Sequence, residues 1–125
     1  MKHRIAIVED NPDNRLLLRV LLSDQFDLFE CVDGFEALRD ISAGVPDLVL
    51  LDVSLPGMDG LEVLRRLRAD PALARIPVVA LTAHAMSGDR ERFLAEGFND
   101  YVSKPIVDEA LLFDAIARHL IAPKA

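Results

Sequence analysis

The chain has 125 residues, 51% of them hydrophobic, enough for one domain with a real core and too apolar for a disordered segment. Fourteen basic residues against 21 acidic give a net charge of −7, which excludes nucleic-acid binding by bulk electrostatics, since phosphate contact needs a basic face. The lone cysteine, Cys31, makes no internal disulfide, no apolar run nears the ~20 residues of a membrane span, and the run after Met1-Lys2-His3-Arg4 is too short for a signal-peptide core. A cytoplasmic protein without membrane contact is expected.

Five strand-like segments alternate with five helix-like ones. Residues 5–8 form a short apolar run that ends on Glu9 and Asp10. Asn11-Pro12-Asp13 breaks the chain, and residues 14–23 read as a helix with Leu17, Val20 and Leu21 inward at offsets 0, 3 and 4. Residues 28–32 form a weaker strand carrying Glu30, which suits a sheet edge, with Cys31 as a small buried hydrophobe. Asp33 caps a helix with Leu38 and Ile41 inward, and Gly44-Val45-Pro46 stops it. Residues 48–51 are apolar without alternation, as in a central parallel strand covered on both faces, and this run ends on Asp52.

The loop from Ser54 leads to Asp59, which caps a third helix with a Glu62–Arg66 pair on its solvent side. Arg65, Arg66 and Arg68 read as a solvated face of that helix. Residues 77–82 make a fourth strand ending on Thr82, and residues 87–95 a helix stopped by Gly97. Residues 100–103 make a fifth strand, followed by Lys104-Pro105. Asp108 caps a last helix with Phe113, Ile116, Ala117 and Leu120 inward. His3 and His119, near the termini, read as surface, and His84 as an exposed loop histidine.

Five strand–helix repeats predict an α/β fold, a parallel sheet with right-handed crossovers and helices on both faces. Ligands of such sheets sit beyond the strand C-termini. Glu9, Asp10, Asp52, Thr82 and Lys104 all fall there. Two carboxylates ~4 Å apart repel by about 4 kcal/mol at an effective dielectric of about 20, and three repel more. A divalent cation relieves this, and an all-oxygen site suits Mg²⁺. Asp52, set apart on the most buried strand, can act as a nucleophile toward phosphorus. The ammonium of Lys104, the hydroxyl of Thr82 and backbone N–H groups after Asp52 can stabilise the phosphoryl group in flight.

In these residues the chain resembles the receiver domain of two-component response regulators, of the chemotaxis-regulator-like and cell-division-regulator-like single-domain kind. The matching pieces are Glu9-Asp10-Asn11, Asp47 through Asp52 with Leu55-Pro56-Gly57-Met58-Asp59-Gly60, Pro77 through Ala83, and Gly97 through Pro105. The resemblance runs over nearly the whole chain. It implies a flavodoxin-like doubly wound (βα)5 fold with strand order 2-1-3-4-5, and one receiver domain over 1–125 with no effector domain.

The resemblance also implies roles. Asp52 is expected to accept a phosphoryl group from a histidine kinase or histidine phosphotransfer protein. Asp10, Asp52 and the backbone carbonyl of Ser54 are expected to ligate Mg²⁺, with Glu9 acting through water. Lys104 and Thr82 are expected to meet the phosphoryl group, and Tyr101 to switch from exposed to buried with Thr82. Ser54 and His84 are expected to tune the phosphate lifetime. The downstream target is expected on the face of the fourth helix, fifth strand and fifth helix of a monomer or weak dimer. Such a receiver catalyses its own phosphorylation and dephosphorylation and is no conventional enzyme.

Other readings compete. A receiver cut from a hybrid histidine kinase has the same residues. A metal-dependent aspartyl-phosphate phosphatase needs a second aspartate two positions after the nucleophile, where this chain has Ser54. A flavin-binding module needs a glycine- and hydroxyl-rich phosphate loop, and Glu9-Asp10-Asn11-Pro12 would repel that phosphate. A receiver that signals without phosphate would not need the complete residue set.

Overall fold

The computed structural model describes residues 2–83, 89–104, 106 and 109–120, with residues 89 and 90 by backbone alone. The expectations for His84, Pro105, the Asp108 cap and the first residues of the fourth helix lie outside these residues.

Five strands, β1 (Arg4–Val8), β2 (Asp27–Cys31), β3 (Leu48–Asp52), β4 (Val78–Thr82) and β5 (Asp100–Ser103), form one sheet in the order β2-β1-β3-β4-β5. Every neighbouring pair is parallel. The helices α1 (Pro12–Leu22), α2 (Gly34–Ala43), α3 (Gly60–Ala69), α4 (Asp89–Glu96) and α5 (Glu109–His119) follow the strands in turn. The expected architecture and strand order hold, and the mixed-polarity β2 is an edge strand. β3 and β4 are buried at every position, because successive side chains enter opposite cores. Val49 and Leu51 join Ala37, Val63, Leu67, Phe93 and Phe98 under α2, α3 and α4. Leu48 and Leu50 join Leu18, Leu22, Leu112 and Ile116 under α1 and α5.

Local signals start most helices. Asn11 caps α1 through Asp13 N–H and Asn14 N–H, and Pro12 occupies the first turn, where its missing donor costs nothing. Helix α1 therefore begins two residues before the expected start. Asp33 and Asp59 cap α2 and α3 as expected, and Glu62 holds Arg66 at 3.1 Å.

Two helix faces differ from expectation. In α1 the buried pair is Leu18 and Leu22, while Leu17 is 37% and Val20 65% exposed. In α5 the buried set is Leu112, Ala115 and Ile116, and Ala117 faces solvent. Both helices carry apolar residues around too wide an arc for periodicity to choose between adjacent phases. The docked sheet makes that choice.

Three polar expectations change as well. Arg68 does not belong to the solvated face. Its guanidinium donates to the carbonyls of Ala74, Ile76 and Gly97 and to Asn99 Oδ1, closing the bottom of β4 and β5, and burial lowers its pKa. His119 is no simple surface residue, since its Nε2 lies 3.2 Å from the buried Asp100 carboxylate. His3 Nδ1 is buried, 3.5 Å from Asp47 Oδ2. Cys31 is fully buried as expected, and burial pushes its thiol up to about 12, so it is inert. Phe98 packs edge-on against Phe93 of α4 at 5.7 Å.

Candidate functional site

Parallel register brings the predicted site residues to one rim. Val8 pairs with Leu51, so Glu9 lies beside Asp52. Asp52 pairs with Leu81, and Thr82 with Ser103, so the chain reaches Lys104 one step later. Lys104 N–H donates to the Thr82 carbonyl at 2.7 Å, and Val53 N–H to the Leu81 carbonyl, which extends the ladder past the strand ends. Ser54 lies on the exposed loop beyond, and its N–H donates to Asp52 Oδ1 at 2.9 Å.

Glycine keeps this loop close. A Cβ at Gly60 would overlap the Asp52 carbonyl, so α3 starts directly against the site. Gly57 has φ +77°, a left-handed conformation that lets the loop turn back toward α3.

Glu9, Asp52 and Thr82 are buried, at 1%, 2% and 2% exposure, whereas Asp10 faces solvent. Carboxylate oxygens of Glu9, Asp10 and Asp52 lie within 4.8 Å of one another. Lys104 Nζ sits among them, 2.9 Å from Asp52 Oδ2 and 3.1 Å from Glu9 Oε2. Burial first, and then Asp52 beside it, push the Glu9 carboxyl above its ordinary value, against the pull of Lys104 and the Asn11 N–H. Burial alone would lower the Lys104 pKa, but the Asp52 and Glu9 carboxylates outweigh it and raise it. Lys104 thus meets two of the three carboxylates, and among the described residues negative charge remains in excess. Among the described residues the Asp10 carboxylate accepts no hydrogen bond, which leaves an open oxygen donor on the solvent side. An all-oxygen donor set with excess negative charge fits a hard divalent cation.

A family model for the response regulator receiver domain matches residues 5–117. The chain is a response regulator receiver domain. Response regulator PleD of Caulobacter vibrioides is 42% identical over 114 residues, which cover 90% of this receiver and 25% of PleD. The receiver therefore spans only a quarter of the length of that relative. An uncharacterized 14.6 kDa protein of Leptolyngbya boryana is 39% identical over 119 residues, covering 94% of the receiver and 90% of that protein. The crystal structure of the receiver domain of sensor histidine kinase PA1611 from Pseudomonas aeruginosa PAO1 superposes with a TM-score of 0.87 at 35% identity. It covers 98% of this receiver and 100% of that chain, and it has a magnesium ion coordinated in its active-site cleft.

The receiver is thus a two-component phosphorelay module, homologous both to response regulators and to receiver domains of histidine kinases. Receivers of this family interact with histidine kinases and phosphotransfer proteins. Its acidic cluster could bind a metal. No helix among the described residues is long and apolar enough to cross a membrane.

Tyr101 is half-buried, with its ring 5.7 Å from that of Phe93 on α4. Sequence reasoning missed Arg15, whose Nη1 donates to the backbone carbonyls of Glu9 and Asp10. It also missed Asp100, a buried carboxylate on β5 held by Arg118 and His119 of α5. An acidic residue opening a strand ahead of Tyr101 and Val102 was the available signal for Asp100. Arg15 left none, since the groups it holds at the site are main-chain carbonyls.

Proposed function

We infer that Asp52 is the phosphoacceptor of this receiver. The observation that carries this reading is Lys104 Nζ within hydrogen-bond distance of Asp52 at the solvent-open rim that holds Asp10. A carboxylate oxygen of Asp52 attacks phosphorus while the P–N bond to a phosphohistidine breaks, and the imidazole of the donor kinase or phosphotransfer protein leaves with the electron pair. Lys104 and the Thr82 hydroxyl meet the negative charge on the transferred group. Asp10, Asp52 and the Ser54 carbonyl would hold Mg²⁺, and Glu9 would support the site through water. When bound, the cation neutralises the phosphoryl oxygens.

Thr82 and Tyr101 report the phosphorylated state to the α4–β5–α5 face, where a downstream protein binds. Ser54, two residues beyond Asp52, sets how water reaches the phosphoaspartate. His84 acts in the same way from its position two residues beyond Thr82.

Acetyl phosphate with Mg²⁺ should label the wild type and leave Asp52→Asn unlabelled, and a chelator should stop the wild-type reaction. An Asn variant that labels fully would refute the assignment. Tyr101 is the only tyrosine and there is no tryptophan, so intrinsic emission should change when beryllofluoride is added with Mg²⁺. Constant emission would remove Tyr101 from the switch.

A further inference from the structure

In the acidic corner between β1 and α1, Glu9 and both backbone carbonyls are held, whereas among the described residues the Asp10 carboxylate is not. Glu9 N–H donates to the Cys31 carbonyl, Glu9 Oε1 accepts from Asn11 N–H, and Glu9 Oε2 accepts from Lys104. The carbonyls of Glu9 and Asp10 are held by one side chain. Arg15 Nη1 lies 2.9 Å from Glu9 O and 3.0 Å from Asp10 O. Its side chain is 19% exposed, and its Nε faces Glu30 Oε1 on β2 at 3.7 Å. Arg19 grips the same Glu30 from the solvent side at 2.8 Å.

From this we propose that Arg15 is a positioning residue of the metal site, fixing the peptide planes on both sides of Asp10 so that its otherwise unheld carboxylate points into the cluster. The proposal rests on the metal role inferred above for Asp10.

Charge and geometry predict opposite signs here. As a cation near the site, Arg15 repels Mg²⁺, so its removal by charge alone would tighten binding. As the anchor of two carbonyls, it orders the ligand before the cation arrives, and its loss weakens binding. Groups that orient metal ligands typically contribute about 10–100-fold in affinity. Lysine keeps the charge and can donate from one nitrogen, but it has no Nε to anchor on Glu30 and so holds the two carbonyls less firmly.

Calorimetric titration with Mg²⁺ separates the possibilities. Arg15→Met should bind Mg²⁺ about 10–100-fold more weakly than wild type. Arg15→Lys should fall between them, and Arg19→Met, which breaks only the outer Glu30 contact, should match wild type. In metal-free protein the carbonyl ¹³C resonances of Glu9 and Asp10 should move in Arg15→Met and stay in place in Arg19→Met. Unchanged or tighter Mg²⁺ binding by Arg15→Met overturns the proposal. If that variant does not fold, wild-type affinity in Arg15→Lys overturns it instead. A wild type without saturable Mg²⁺ binding overturns the metal reading itself.

Discussion

Two carboxylate sites stand on the same sheet, and they are balanced in opposite ways. At the C-terminal rim three acids, Glu9, Asp10 and Asp52, lie together, and the ammonium of Lys104 meets two of them, Glu9 and Asp52. At the start of β5, Asp100 alone receives Arg118 at 2.7 Å, His119 at 3.2 Å and its neighbour's N–H at 2.9 Å. Burial acts on both in the same direction, toward the neutral acid. At Asp100 the donors outweigh burial and hold the carboxyl below its ordinary value. At Glu9 burial and Asp52 win, and the value rises. The Asp100 cluster joins α5 to the sheet edge. The rim cluster is left short of positive charge, and that deficit is what a cation and a phosphoryl group can use.

The largest expected difference between the clusters is their response to Mg²⁺. A ligand at a hundredfold excess over its Kd stabilises by about 2.7 kcal/mol, roughly 10 °C in Tm for a domain of this size. Thermal melts should show that shift in wild type and in Asp100→Asn, and lose most of it in Asp10→Asn. A shift of equal size in Asp10→Asn would place the cation elsewhere.

Next in size is the structural cluster itself. Asp100→Asn should cost about 2 kcal/mol at neutral pH, the range of hydrogen bonds to charged groups. A larger penalty is not expected, because Arg118 is half-exposed and can turn to water. The folded-state value of Asp100 is depressed, so its contribution is complete above the ordinary carboxylate value of about 4 and is lost as pH falls through the lowered value. Urea unfolding at stepped pH should therefore show the gap between variant and wild type closing over that acid range. A gap that stays constant would remove Asp100 ionisation from the explanation.

The smallest effect has the opposite sign. Glu9→Gln removes one of three repelling charges and should raise the metal-free Tm by about 2–4 °C, under 1 kcal/mol, even though Lys104 loses one partner. A drop as large as that of Asp100→Asn would mean the rim cluster is structural after all.

Much of this protein is legible in its sequence. Unbroken apolar runs ending on Glu9 and Asp52 announce central parallel strands and their rim, because only a strand covered on both faces lacks alternation. Asp33 and Asp59 announce their helices, because capping is a contact between near neighbours. The rotation of α1 and α5 is not legible. Leu17 and Leu18 are equally apolar, as are Ala115 and Ala117, and only the position of the sheet decides which is buried. Nor is the role of the cations legible. Arg68 looked like part of a solvated triplet, yet the groups it holds come from chain segments up to 31 residues away.

The sequence by itself determined the order of elements, the five residues that gather at the rim and the excess of acid among them. Those follow from periodicity and residue type, which are local. Tertiary structure alone decided that Lys104 stands between Glu9 and Asp52, that Asp100 is neutralised by α5, and that Arg15 turns its guanidinium onto two carbonyls. Each of these depends on distances between strands and helices, and distance sets how strongly charges and hydrogen bonds act.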